Sequence, residues 1–280
     1  MKFFLKEINK RALLILVFVF SFSLITFSAT VDTVSIYSAS MKKYVKAVVI
    51  TPVSYKKKSS RFPVIYLLHG YSDNYSGWVK KVPGLLTEVD KYNMIIVCPD
   101  GAYGSWYMDS PIDSTKKYET NIAVEIPHYI DTHYRTIADR KARAITGLSM
   151  GGHGAFYIGI RHKDFFGAIG SMSGGVDIRP FPNNWDIKKT LGDYATHPDN
   201  WDRHTVINLV DQLKNDEQRI IVDCGTEDFF LQVNRNLHQK LLALKVNHDY
   251  TERPGAHNWG YWANAIKYQL LYFNTFFKLE

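Results

Sequence analysis

Five short apolar runs punctuate this chain, at residues 64–68, 94–98, 142–146, 168–172 and 219–223, each bounded by Gly, Pro or Asp. A strand reads as an unbroken apolar run when both of its faces are covered. Between the runs lie helix-period patterns at 120–134, 152–161 and 230–244. Strand and helix therefore alternate, as in a mainly parallel sheet with helices on both faces. Two earlier segments, 33–37 and 44–51, are β-branched or alternating and read as an antiparallel opening pair, and a last strand spans 248–253. The expectation is an α/β fold on an eight-stranded sheet, with Pro127 starting or kinking the first helix.

Such a fold needs an apolar core without covalent help. The chain has 280 residues, 46% of them hydrophobic and 22% charged, so a large core is within reach. Two cysteines cannot form a disulfide framework, and no C-x-x-C pair or other zinc-ligand spacing occurs, so neither a metal nor another cofactor is expected. Of the formal charge of +7, Lys2, Lys6, Lys10 and Arg11 against Glu7 supply +3, leaving +4 for the remainder. A charge of that size governs solubility and gives no reason to expect a nucleic-acid partner.

The basic residues Lys2 to Arg11 precede sixteen uncharged residues, 12–27, rich in Leu, Ile, Val and Phe, and the small pair Ser28 and Ala29 follows. This order is that of a secretory signal. Cleavage near Ser28 or Ala29 divides the chain into a signal peptide, 1–29, and a single domain, 30–280. The expected location is then secreted or periplasmic, with no membrane attachment after cleavage. The rival reading is an uncleaved anchor, since residues 12–31 carry no charge and are about long enough to span a bilayer.

The chemistry starts at Gly147-Leu148-Ser149-Met150-Gly151, set between a strand and a helix. G-x-S-x-G requires that setting: the tight turn strains the serine backbone, and flanking glycines remove side chains that would collide. Ser149 at a helix N-terminus also places the Met150 backbone N–H where an oxyanion would form. A serine hydroxyl needs a base, and the base needs a carboxylate; in this kind of fold they follow the serine as acid, then histidine. After the 219–223 strand comes Cys224-Gly225-Thr226-Glu227-Asp228, with Asp228 the leading acid, Glu227 a competitor and Asp223 a weaker one inside the strand. After the last strand, Pro254-Gly255-Ala256-His257 offers His257 as base. His153, His162, His204 and His238 fall in helical stretches, and His153 is expected to pack rather than to meet substrate. The loop His69-Gly70-Tyr71 should supply the second oxyanion donor from the Tyr71 N–H, with His69 bonding the loop itself.

Taken together, His69-Gly70, Ser105-Trp106-Tyr107-Met108-Asp109-Ser110, Tyr118-Glu119-Thr120, Gly147 to Gly152, Gly225-Thr226-Glu227-Asp228 and His257-Asn258-Trp259 resemble the esterase D and carbohydrate esterase family 1 branch of the α/β hydrolases. The resemblance runs from about residue 35 to the C-terminus. It implies the α/β-hydrolase fold with Ser149, Asp228 and His257 as the triad. Its members include feruloyl, acetyl xylan and tributyrin-type esterases, S-formylglutathione hydrolases and, more distantly, mycolyltransferases.

The resemblance does not fix the substrate; the expectation is a serine carboxylesterase acting on short-chain or aromatic acyl esters, with export favouring acetyl or feruloyl groups on plant polysaccharide fragments. Acyl transfer of the mycolyltransferase type and a thioesterase like S-formylglutathione hydrolase are the alternatives, export weighing against the latter. An intact triad argues against a non-catalytic binding module. Trp78, Trp106, Tyr107 and Trp259 are candidate substrate-stacking residues, and the connection 175–218 is expected to roof the pocket. In the sheet order of the resembled fold, three strands separate Cys98 from Cys224, about 19 Å at about 4.8 Å per strand. A disulfide tolerates only about 7 Å between Cα atoms, so two free thiols are expected.

Overall fold

The computed structural model describes residues 28–57 and 59–279. The expected signal segment thus falls almost wholly outside the described residues. Among the described residues, no helix is long and apolar enough to cross a membrane.

Eight strands form one sheet: β1 (Thr30–Ser38), β2 (Lys43–Thr51), β3 (Val64–Leu68), β4 (Ile95–Pro99), β5 (Arg143–Gly147), β6 (Ala168–Met172), β7 (Arg219–Gly225) and β8 (Asp249–Arg253). Their spatial order is β1-β2-β4-β3-β5-β6-β7-β8. β1 pairs antiparallel with β2 and β2 with β4, and every other pairing is parallel. The sheet is therefore the mainly parallel one that the apolar runs require, on the α/β-hydrolase plan.

Alternate side chains of the central strands feed two cores. Val64, Tyr66 and Leu68 of β3 enter one, and Ile65 and Leu67 enter the other. Six helices are central to the packing: α1 (Gly77–Lys81), α2 (Leu85–Tyr92), α3 (Ile126–His133), α4 (Met150–Arg161), α5 (Leu231–Ala243) and α6 (Trp259–Leu279). The first core takes Ile126 and Ile130 of α3, Phe156 of α4 and Leu237 of α5, and the second takes Val89 of α2 and Ile266, Leu270 and Phe273 of α6.

The chain departs from expectation in its helices. The 120–134 pattern divides: a π-helical stretch, Asn121–Glu125, precedes α3, with Pro127 in the first turn of α3, where its missing N–H is tolerated. The periodicity reading includes neither α2 nor α6. α2 is only eight residues long and hides two apolar side chains. In α6 the apolar stripe is blurred by large hydrophobic residues on the exposed side, such as Tyr268 and Leu271.

Cys98 ends in β4 and Cys224 in β7, with β3, β5 and β6 between them, and both are free and buried. Burial raises the pKa of each thiol well above its ordinary value. Alkylation under denaturing, non-reducing conditions is expected to add two labels by intact mass; no label at all would demonstrate a disulfide and overturn the sheet order.

Candidate active site

Four of the loops that follow the carboxyl ends of the parallel strands converge, the place where open α/β sheets hold their ligands. The turn after β5 is held by its neighbours: Leu148 N–H donates to the Leu68 carbonyl (3.4 Å) and Ser149 N–H to that of Met172 (3.0 Å). Ser149 adopts φ 54° and ψ −117°, a conformation that side-chain-bearing residues seldom take. A Cβ on Gly147 would lie 2.6 Å from the Gly151 backbone, and one on Gly151 would lie 2.6 Å from the carbonyl oxygens of Leu68 and His69. Both glycines are thus required by backbone approaching backbone.

His257 reaches this turn from the loop after β8. Its Nε2 is 2.9 Å from Ser149 Oγ, and its Nδ1 is 2.9 Å and 2.8 Å from the two carboxylate oxygens of Asp228. An ionised carboxylate accepts only, so Nδ1 carries the proton and donates, leaving the Nε2 lone pair to accept from Ser149 O–H. Asp228 is buried and also accepts the Phe230 N–H at 2.8 Å. The two loops are latched together by Thr226 N–H to the Arg253 carbonyl and Glu227 N–H to the Gly255 carbonyl, each 2.9 Å. Of the competing acids, Glu227 is exposed, and Asp223 is buried and engaged by Arg253 and Tyr261. Only Asp228 meets His257.

The turn after β3 passes over the serine. A Cβ on Gly70 would meet Leu148 Cδ1 at 2.5 Å, so any side chain there would have to displace the tip of Leu148. Among the described residues, neither the Tyr71 nor the Met150 backbone N–H donates a hydrogen bond. His69 is buried: Nε2 accepts the Gly101 N–H and Nδ1 donates to the Gly70 carbonyl, both at 2.8 Å, and Tyr107 O–H donates to the His69 carbonyl. His69 therefore fixes the loop, as expected. His153 is likewise internal, its Nε2 donating to the His204 carbonyl at 2.8 Å; burial brings its pKa down to about 4 and keeps it neutral.

Glu119 braces α4 from beneath. Burial pushes its pKa up, but His162, Arg161 and Tyr157, all bonded to its carboxylate, outweigh burial and hold it at about 2. The helix that presents Ser149 is thereby tied at its far end to the Tyr118-Glu119-Thr120 segment.

Ser149 opens onto a cleft of about 360 Å³, walled by Tyr71, Trp185, Phe229, His257, Trp259 and Trp262. Of the candidate stacking residues, Trp259 lines this cleft. Trp78, Trp106 and Tyr107 do not: all three are buried and out of reach of a ligand. Trp78 donates through Nε1 to the Leu68 carbonyl and lies edge-on behind Trp259; Trp106 donates to the Trp185 carbonyl; Tyr107 supports His69. The physical reason is that each ring carries one polar group and finds a backbone carbonyl inside the fold to accept from it, which lets the rest of the ring be buried. Trp185, Phe229 and Trp262 were missing from the sequence reading. Phe229 had a signal in its adjacency to Asp228, and it packs 4.1 Å from the His257 ring centroid. Trp185 lies in the 175–218 connection, which does reach over the pocket, and stacks on Phe229 at 5.5 Å and 17°.

A serine on a strained strand-to-helix turn, bonded to an imidazole that is bonded to a carboxylate, places the molecule among the serine hydrolases of the α/β-hydrolase fold. Residues 38–273 match the model of the Esterase family, described as "Putative esterase", and the chain belongs to that family. It is a carboxylic-ester hydrolase. The chain is similar to an acetyl esterase of Caldicellulosiruptor saccharolyticus, 27% identical over 259 residues, spanning 84% of this chain and 96% of that one. It is also similar to the solved structure of a ferulic acid esterase, with TM-score 0.79 and 30% identity, covering 90% of this chain and 100% of the other. A diacylglycerol acyltransferase/mycolyltransferase of Mycolicibacterium smegmatis is 26% identical over 244 residues, 72% of this chain and 74% of that one.

Proposed function

We propose that this protein is an exported esterase that removes acetyl or feruloyl groups from plant polysaccharide fragments, with Ser149 as nucleophile, His257 as general base and Asp228 as its orienting carboxylate. The observation that carries the reading is the Asp228–His257–Ser149 hydrogen-bond chain at the floor of an open, aromatic-walled cleft. Ser149 Oγ attacks the ester carbonyl while its proton passes to His257 Nε2. Asp228 stabilises the imidazolium, and the Tyr71 and Met150 N–H groups receive the negative oxygen, each such donor being worth about a hundredfold or more in rate. His257 then protonates the departing alcohol, and a water molecule activated by the same nitrogen releases the acid.

The stacked Trp185–Phe229 pair offers a flat face to a planar acyl group. A long alkyl chain would instead have to desolvate the Asp73–Lys81 ion pair, 2.9 Å, on the wall of the same cleft. We expect higher kcat/KM on p-nitrophenyl acetate and methyl ferulate than on p-nitrophenyl octanoate. A preference for octanoate would overturn the reading. Likeness to a mycolyltransferase favours acyl transfer as the second reading; it predicts that an added alcohol acceptor captures most of the acyl group in place of water.

A further inference from the structure

We propose that Asp223, a buried carboxylate outside the triad, is a positioning residue that sets where His257 stands. The inference rests on the reading of Ser149, His257 and Asp228 as the triad and adds a second acid beneath it. Asp223 lies inside β7, five residues before Asp228, and is fully buried. A buried carboxylate is costly unless it is paired and hydrogen-bonded. Asp223 is both: Oδ2 is paired with Arg253, and Oδ1 accepts from the Tyr261 hydroxyl.

Those two partners flank the histidine. Arg253 is the last residue of β8, four positions before His257, and Tyr261 stands in the first turn of α6, four positions after it. One carboxylate therefore draws together both ends of the loop that carries the imidazole. The partners are themselves held: the Arg253 guanidinium lies 3.9 Å above the Tyr268 ring of α6, and the Tyr261 N–H donates to Asn258 Oδ1 at 3.1 Å. Between them the chain turns at Gly255, φ 141°, directly against the Tyr261 ring, where a Cβ would lie 2.5 Å from Cδ2. With its hydroxyl fixed on Asp223 that ring cannot retreat, so it sets the height of the turn, and Gly225 of β7 has no side chain to hold the Gly255 carbonyl away. Asp228 can orient the imidazole only where this loop delivers it. Nε2 has to stay 2.9 Å from Ser149 Oγ, and a misplacement of about 1 Å costs about a hundredfold in rate. None of Asp223, Arg253 and Tyr261 borders the Ser149 cleft, so their effect on the reaction runs through His257 and not through substrate.

The test compares Tyr261→Phe and Asp223→Asn with the unmutated full chain. It reads kcat and KM on p-nitrophenyl acetate, the rate at which a fluorophosphonate labels the nucleophile, and the thermal midpoint, which establishes that each variant is folded at the assay temperature. Tyr261→Phe removes one hydroxyl and keeps the ring, so it should fold even if Asp223→Asn, which strands the Arg253 charge, does not. Tyr261→Phe is expected to lower kcat and the labelling rate by about tenfold each with KM within about twofold, because the base is displaced while the pocket is untouched. A folded Asp223→Asn is expected to lower both by about a hundredfold. The proposal is lost if folded Tyr261→Phe keeps kcat and labelling within about twofold of the unmutated chain, or if its deficit lies in KM with kcat unchanged. The triad reading fails by a different result: Ser149→Ala that still hydrolyses ester or still takes the fluorophosphonate label.

Discussion

Ser149→Ala is expected to abolish ester hydrolysis, with kcat falling by about a million-fold, the scale found when the nucleophile is deleted from a triad of this type. No acyl-enzyme can form without Oγ. The fold should persist, because among the described residues the only side-chain hydrogen bond lost is the one to His257. Turnover of p-nitrophenyl acetate, read beside a thermal melt of the same preparation, tests both statements. Retention of more than a few per cent of activity in a folded protein would exclude Ser149 as nucleophile.

Asp228→Asn should come next in severity, at about ten-thousand-fold in kcat. Its carboxamide would turn an N–H toward Nδ1, force the proton onto Nε2, and leave no lone pair to accept from Ser149. Glu227→Gln, one residue away but exposed, should leave kcat within about twofold, as surface changes away from the chemistry usually do. If Glu227→Gln proved the more damaging, the acid would have been assigned to the wrong residue.

How far these conclusions could be read from sequence differs by element. The interior strands announce themselves because burial on both faces leaves little room for polar side chains, as in Val64–Leu68, with none but the Tyr66 hydroxyl, and Ala168–Met172, with Ser171 alone; in both the expected and observed bounds coincide. Helices α2 and α6 were not readable: one is too short to develop a period, and the other spreads aromatic residues around its circumference. Strand order was accessible only through family resemblance, since local pattern says nothing about which strands become neighbours.

At the site, Ser149, Asp228 and His257 stand on turns whose glycines and chain order constrain them, and the structure brings them within hydrogen-bonding distance. The cleft aromatics obey no such rule. Whether Trp106 faces ligand or core depends on a tertiary partner, the Trp185 carbonyl, and whether Trp185 reaches the cleft depends on the course of a connection of more than forty residues. Neither is encoded in local spacing.

The placement of Cys98 and Cys224 on strands separated by three others bears on how the molecule can mature. A chain whose thiols never pair asks nothing of an oxidant or an isomerase. It can therefore reach the same native state in a reducing cytoplasm or in an oxidising exterior, and its biogenesis is uncoupled from the redox poise of whichever compartment receives it.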